Sequence, residues 1–351
     1  LANLKQKSKY FLAFISILLL LTFGFIYWQI EQTLQQNLQI DKPTQIIIPS
    51  GASLFSLSKS LEQQGLVRNT KWLRFYWRLQ TKIMRKPPLL LKSGKYQIAP
   101  NITLANALQL WSVGQVTQHK ITIIEGWNMQ QIRRALAADA NLVQHLPNIK
   151  NEDLMAKLGR TGHPEGRFFP ATYNFVYPMS DLDILRQAAD KLDKVLAQEW
   201  QNRAQGLPYK DSYQALIMAS IVEKETAKVS EYEQIAGVFV RRLQKKMRLQ
   251  TDPTVIYGMG DKYKGKIGRK DLRTATPYNT YVIYGLPPTP IASAGLGAIA
   301  AAMHPDASDA LYFVAKGDGS HYFSKDLAEH NKAVREYQLK RRSDYRSTPN
   351  P

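Results

Sequence analysis

The chain has 351 residues, 44% of them hydrophobic and 21% charged, and no cysteine. That is enough for two or three domains with substantial cores; it excludes general disorder, disulfides, thiol nucleophiles and thiolate metal sites. The formal charge of +19 implies attraction to something anionic, such as nucleic acid, lipid headgroups or an acidic polymer, while six histidines without a metal-ligand spacing give no reason to expect a metal or other cofactor.

Tyr10 to Ile30 is a run of 21 residues without a formal charge, and a helix of about 20 residues crosses the hydrocarbon layer of a bilayer. Lys5, Lys7 and Lys9 precede it, Glu31 follows it, and Tyr27 and Trp28 stand where an interfacial aromatic belt belongs. The pattern predicts a single-pass anchor with a cytoplasmic tail over 1–9 and everything after 30 exported. A cleaved signal peptide would end its apolar core at a small-x-small site, and YWQIEQTLQQ offers none. An exported ectodomain does not normally meet the genome, so nucleic acid is not the expected partner.

A polar stem is expected over 31–44. Ile46 to Gly51 (IIIPSG) reads as a short strand ending in a turn, and Ser53 to Gly65 as a helix with Leu54, Leu57 and Leu61 on one face, Ser53 as N-cap and Gly65 as the stop. A second helix, NTKWLRFYWRLQTK, is followed by Pro87-Pro88 and by LLLKSGKYQIA, read as a strand pair around a Ser-Gly turn. The result is a small α+β module. Lys59 to Lys95 holds ten lysines or arginines against one acid, Glu62, which is either a footprint for an anionic ligand or a face near anionic lipid.

Thr103 to Gln115 reads as a helix, His119 to Gly126 as a strand, and Asn128 to Ala140 as a helix capped by Asn128. This strand-turn-helix faintly repeats the first one; Glu125 and Trp127 at its turn suit either ligand binding or packing. Helices are predicted near Asp181 to Arg203, Asp211 to Ala227 and Glu231 to Lys246. A Pro-, Gly- and Tyr-rich region from Thr251 to Pro290 reads as irregular, too long for a mere connector and therefore functional. Leu311 to Asp326 reads as a hairpin with a Gly-Asp-Gly turn.

The stretch SIVEKETAK, Ser220 to Lys228, places two glutamates one residue apart after an apolar run. On a helix at 100° per residue with Ile221 at the origin, the apolar stripe centres at about 50°, with Glu225 near about 40° and Glu223 near about 200°. Glu225 continues the stripe and Glu223 points away from it. Burial at the last helical turn raises a carboxyl pKa, which suits a general acid; an ion pair of Glu225 with Lys228 or a distant arginine suits the same pattern. Leu216, near about 220°, would make the helix apolar nearly all round.

Several longer motifs carry a resemblance: GHPEGRFFPATYNF (Gly162 to Phe175), ASIVEKETA (Ala219 to Ala227), RLQTDPTVIYGMG (Arg248 to Gly260), TPYNTYVIYGLPPTPIASAG (Thr276 to Gly295) and AMHPDASDALYFVAKGDGSHYFS (Ala302 to Ser324). Together they resemble the MltG or YceG-like endolytic murein transglycosylases over most of the ectodomain. The family's EGFLFPDTY pattern departs here at Arg167 and Ala171, which leaves Glu165 as the nearest carboxylate in that motif.

The resemblance implies an α+β chain laid out as a cytoplasmic tail (1–9), a transmembrane helix (10–30), a stem (31–44), a LysM-like module (45–118), a YceG-like catalytic domain (119–340) and a polar tail (341–351). It puts the catalytic acid on Glu225, followed by the small hydroxyl residue Thr226 as in lysozyme-like transglycosylases. It implies cleavage of MurNAc-GlcNAc bonds in peptidoglycan to 1,6-anhydro ends, at the periplasmic face of the bacterial inner membrane. Penicillin-binding protein synthases are the partners it implies, with a role in ending glycan elongation. Gln250, Asp252, Thr254, Tyr257, Tyr278, Asn279, Tyr281 and Glu165 are candidate substrate-binding residues, with Asp252 the best candidate for a second carboxylate; for each tyrosine taken singly, packing in the core is the commoner reading, and His304 and His321 are expected to be structural. A two-carboxylate muramidase and a non-catalytic scaffold of the wall-synthesis machinery are the competing readings.

Overall fold

The computed structural model describes residues 2–82, 89–114 and 116–339. Pro87-Pro88, Gln115 at the end of a predicted helix, and the polar tail 341–351 lie outside the described residues, as do the side chains of Lys5, Lys7 and Lys9. Two compact units are present: Leu1–His119 with Asn141–Val143 and Asn174–Met179, and Lys120–Ala140 with Gln144–Tyr173 and Ser180–Pro351.

In the first unit, helix α1 (Ala2–Gln35) carries the apolar run, whose large side chains from Tyr10 to Trp28 are mostly exposed. At 1.5 Å per residue, 21 residues extend about 31 Å, enough to cross a bilayer. The helix does not give way to a stem at residue 31. It continues to Gln35, and Ile30, Leu38 and Ile40 are buried in the same cluster as Leu61, Leu73, Tyr96 and Trp111. Burying a Leu or Ile side chain gains about 1.5–3 kcal/mol, and the glutamines between them find partners at the surface: Gln36 accepts from the Arg68 amide at 2.8 Å and donates to its carbonyl at 3.0 Å.

Next come β1 (Thr44–Ile48), α2 (Leu54–Gln63), α3 (Lys71–Lys82), β2 (Gly94–Ile98) and α4 (Leu104–Val113). Ser53 and Ser56 close a capping box at the start of α2, Leu54, Leu57 and Leu61 are buried along it, and Gly65 follows its end at φ 71°. The strand pair expected within Leu89 to Ala99 does not form. Instead Gly94–Ile98 pairs antiparallel with Thr44–Ile48, Thr44 facing Ile98. This pairing buries Ile46, Ile48, Tyr96 and Ile98 together, a gain that a hairpin about Ser93-Gly94 would forgo.

Chain order then gives β3 (His119–Ile123), α5 (Met129–Ala138), α6 (Asn151–Lys157), β4 (Ala171–Phe175), α7 (Asp181–Gln201), α8 (Ser212–Glu225) and α9 (Tyr232–Gln244). These are followed by α10 (Asp252–Met259), α11 (Arg269–Arg273), α12 (Leu296–Met303), β5 (Tyr312–Ala315), β6 (His321–Ser324) and α13 (Leu327–Val334). The described strands form three two-stranded sheets, β1-β2, β3-β4 and β5-β6, so the chain is mixed α and β. Helix α8 is the axis of the second unit: α7, α9, α10 and α12 pack on it, and every residue from Ala215 to Val222 is buried.

The region 251–290 is not wholly irregular. Asp252 and Pro253 open α10, with an acid where the helix dipole favours one and a proline where no amide partner is needed. Beyond it Asn279, 1% exposed, ties the chain together by donating to the carbonyls of Asp271, Leu272 and Thr274. The β5-β6 hairpin reads as expected, with Ala315 facing His321 and both turn glycines at positive φ, Gly317 at 93° and Gly319 at 82°.

Candidate active site

Helix α8 brings the two glutamates to its C-terminal end. Asp211 caps its start by accepting from the Gln214 amide, and Ser220 anchors its middle: the hydroxyl donates to the Ile217 carbonyl and accepts from the Ile291 amide. With all faces of the helix buried, the stripe that separates Glu223 from Glu225 on paper is not there. Glu223 is half-buried. It accepts from the Gly295 amide at 2.9 Å and the Tyr232 hydroxyl at 3.3 Å, and burial raises its carboxyl above the ordinary range. A Cβ at Gly295 would stand 2.0 Å from the Glu125 carboxylate, so a larger residue there would push that exposed side chain aside.

Glu225 is the last residue of α8, and Thr226 turns the chain into extended backbone. The residue is half-buried, and burial pushes its carboxyl up to about 7. Three smaller influences act on it: the Thr251 hydroxyl, which donates to Oε2 and lowers the pKa, Asp252, which raises it, and Arg242, which lowers it. No cation pairs directly with Glu225 among the described residues; Lys228 approaches Glu231 instead, at 3.6 Å. The ion-pair alternative open at the sequence level is therefore not what the structure contains.

The surroundings of Glu225 come from α9, α10 and the loop after α11. Arg242 is buried on α9, donates to the carbonyls of Leu311, Arg248 and Leu249, and lies 5.0 Å from the centroid of the Tyr312 ring. Desolvation lowers its pKa, yet an arginine remains a cation. Thr251, Thr254 and Thr280 form a buried cluster: the Thr251 amide donates to the Thr280 hydroxyl, and Thr254 donates to the Thr251 carbonyl. The cluster fixes the backbone from which Thr251 reaches Glu225. Asp252, next in the chain, is exposed, and its Oδ1 accepts from the Tyr281 hydroxyl at 2.7 Å.

A second buried carboxyl lies elsewhere in the unit. Glu165, 4% exposed, accepts from the Met129 amide at 3.0 Å and from the Tyr257 hydroxyl at 3.0 Å, and burial pushes it up to about 7. Tyr257 stands edge-on to Tyr278 at 4.8 Å between centroids, and Tyr278 shares a hydrogen bond with Thr289.

Of the nine residues singled out from the sequence, Asp252 and Gln250 are the exposed ones, and Tyr281 joins Asp252 beside Glu225. Thr254 and Asn279 are buried with their polar atoms engaged inside the chain, and Tyr257, Tyr278 and Glu165 form a separate packed group. Thr251 and Arg242 were missed. Thr251 sat inside QTDPT between two chosen residues, a usable signal; Arg242, one of many arginines in a basic chain, gave none. His321 binds the buried Glu231 at 2.7 Å and His304 is exposed. Among the described residues no three or more acidic or histidine side chains converge on a metal-sized site.

One half-buried carboxyl whose pKa burial raises to about 7, with a single hydroxyl donor, can both give and take a proton. Comparison with known proteins places the chain as a whole. The model of the YceG-like family matches residues 46–336. An endolytic murein transglycosylase of Bacillus subtilis is 33% identical, the match covering 83% of this chain and 84% of that protein. One of Streptococcus pneumoniae is 27% identical over 93% of this chain and 64% of its own length. A crystal structure of a yceG-like protein from Listeria monocytogenes superposes with a TM-score of 0.51 at 32% identity, over 83% of this chain and 99% of that one. The chain belongs to the YceG-like family.

Proposed function

We propose that the chain is an endolytic murein transglycosylase in which Glu225 is the acid and base. The carboxyl protonates the glycosidic oxygen between MurNAc and GlcNAc; the carboxylate so formed takes the proton of the muramoyl C6 hydroxyl, which closes onto C1 as a 1,6-anhydro ring. The nucleophile belongs to the substrate, so proximity within one sugar replaces a second protein carboxyl and an activated water. The observation that carries this reading is the state of Glu225: burial holds it near about 7, so both protonation forms are populated at neutral pH.

Thr251 orients the carboxyl, and buried Arg242 stabilises the carboxylate after proton transfer. Gln250, Asp252 and Tyr281 are the substrate-facing residues of this arrangement; Thr254 and Asn279 support it from behind, and Glu165, Tyr257 and Tyr278 hold a neighbouring part of the fold. The strand–helix–helix–strand order of the first unit supports a LysM-like module that holds glycan. Helix α1 anchors the protein in the bacterial inner membrane with its N-terminus cytoplasmic. Cleavage is then confined to strands near the bilayer, where penicillin-binding protein synthases make them.

Digesting peptidoglycan, nascent strands included, with the protein and with Glu225→Gln, followed by mass spectrometry of the glycan ends, tests this. Anhydro-muramoyl ends that vanish with the variant are expected. Reducing ends would make the enzyme a hydrolase, and ends identical for both proteins would remove Glu225 from the chemistry.

A further inference from the structure

Helix α3 carries an exposed aromatic side chain, Phe75, that the core of the first unit does not take in. Its inner side is committed: Leu73 is 1% exposed in the core. Phe75 lies about 200° away around the helix and is 50% exposed, flanked by the exposed cations Lys71 and Arg78. A solvated helix face has no use for a phenyl ring there, whereas a bilayer border takes aromatic side chains together with lysine and arginine.

The position of α3 against α1 says which surface this is. The rings of Phe25 and Trp72 meet edge-on at 6.0 Å, and Trp72 meets Phe75 edge-on at 6.4 Å, so an aromatic line runs from the anchor helix onto α3. Phe25 is five residues before Ile30, about 7.5 Å inside the end of the apolar run. Thr33, on the next turn of α1, donates to the Asn69 carbonyl just before α3. If residues 10–30 cross the hydrocarbon, α3 starts at its outer border.

We propose that α3 is an interfacial helix, its Phe75 face seated in the headgroup border of the outer leaflet of the membrane that α1 crosses, with Lys71 and Arg78 meeting anionic lipid. The first unit is then seated on the bilayer instead of swinging on a stem, and part of the positive excess between Lys59 and Lys95 faces phospholipid. This rests on the membrane reading of α1 and is independent of the chemistry at Glu225.

The chain contains no cysteine, so single labels are clean. Full-length protein carrying Phe75→Cys, Lys71→Cys, Gly24→Cys or Lys270→Cys, each labelled with a nitroxide, is reconstituted in vesicles of equal parts phosphatidylethanolamine and phosphatidylglycerol. Collision with oxygen and with a water-soluble nickel complex is then read by electron paramagnetic resonance. Gly24 lies in the apolar run with nothing within 4 Å of an added Cβ, and Lys270 is exposed in the second unit. The expected result is a position-75 label several-fold less open to nickel than the one at 270 and more open to oxygen, with 71 between them and 24 deepest. Labels at 75 and 71 as open to nickel as the one at 270, while 24 reads hydrocarbon, would overturn the interfacial helix and leave the anchor standing. A label at 24 that reads water would remove the anchor and this inference with it. Shielding of 75 from both probes would mean protein covers the face, which also overturns it.

Discussion

Glu165 and Glu225 are carboxyls of one unit, both pushed up to about 7 by burial, and they sit in opposite kinds of surroundings. Glu165 is 4% exposed and accepts from backbone amides and a tyrosine hydroxyl, so its oxygens are occupied. Glu225 ends a helix, keeps part of its surface, accepts from one threonine, and has an exposed aspartate and a buried arginine as electrostatic neighbours. A raised pKa by itself marks desolvation. It marks an acid only where the carboxyl also has a free oxygen and room for a substrate.

The most direct way to break the comparison is to neutralise each carboxyl in turn. Glu225→Gln is expected to lower kcat for glycan cleavage by about a thousandfold or more, since removal of a general acid costs about 10²–10⁴, with thermal unfolding little changed. Glu165→Gln is expected to keep cleavage within about tenfold, because the amide oxygen still accepts from the Met129 amide and the new NH2 group can donate to the Tyr257 hydroxyl oxygen. Comparable losses of turnover in both variants would erase the distinction.

The second difference is in stability. The folded pKa of Glu165, about 7, lies above its ordinary 4.5, so between these values the native state binds more protons than the unfolded one. Stability is then highest below about 4.5, falls as pH rises through the window, and stays low above about 7; a shift of about 2.5 units corresponds to a few kcal/mol, on the order of 3. Glu165→Gln removes this slope. Urea unfolding at pH 5 and pH 8 should therefore show a smaller loss of stability between the two for the variant than for the parent; an unchanged difference would contradict the burial assigned to Glu165.

The third sharpens the Glu225 side. The acid must be protonated, so kcat/KM should fall as pH rises through about 7. Thr251 lowers the pKa by donating to the carboxylate, so Thr251→Val is expected to move this limb upward by up to about one unit while the rate falls about tenfold from lost orientation; Thr251→Ser should restore both. A limb that stays in place would show that Thr251 does not act through Glu225.

Much of this was open to reading from the chain. The caps at Ser53 and Asn128 and the hairpin about Gly317 and Gly319 are local, and local chemistry decides them. What failed was non-local. A hairpin within Leu89 to Ala99 is locally plausible and lost to the burial that β2 gains against β1, 46 residues earlier in register at Gly94 and Ile48. The stem was too polar in average to reveal that Leu38 and Ile40 close the core. At the site, periodicity chose Glu225 for a reason that does not hold: α8 is buried on all sides up to Val222, and Glu223 is half-buried just as Glu225 is. Only contacts separate the two, Glu223 committed to Gly295 and Tyr232, Glu225 to Thr251. Arg242 was illegible because its burial depends on carbonyls of Leu249 and Leu311, which no spacing places near it.

The smallest expected effect decides the question of a second carboxylate. Asp252 raises the pKa of Glu225, so Asp252→Asn should move the limb toward lower pH by a fraction of a unit and lower the rate only a few-fold. A nucleophile or general base would behave otherwise: its removal would cost about a hundredfold or more, and the parent would leave reducing ends. The geometry argues for the modest outcome. Asp252 is exposed, where water competes for it, and its Oδ1 already accepts from Tyr281. Tyr281→Phe separates orientation from charge: it frees Asp252 without removing the negative charge, so the limb should stay where it is while KM rises. A limb that moved with Tyr281→Phe as far as with Asp252→Asn would mean that Asp252 acts on Glu225 only when the tyrosine holds it in place.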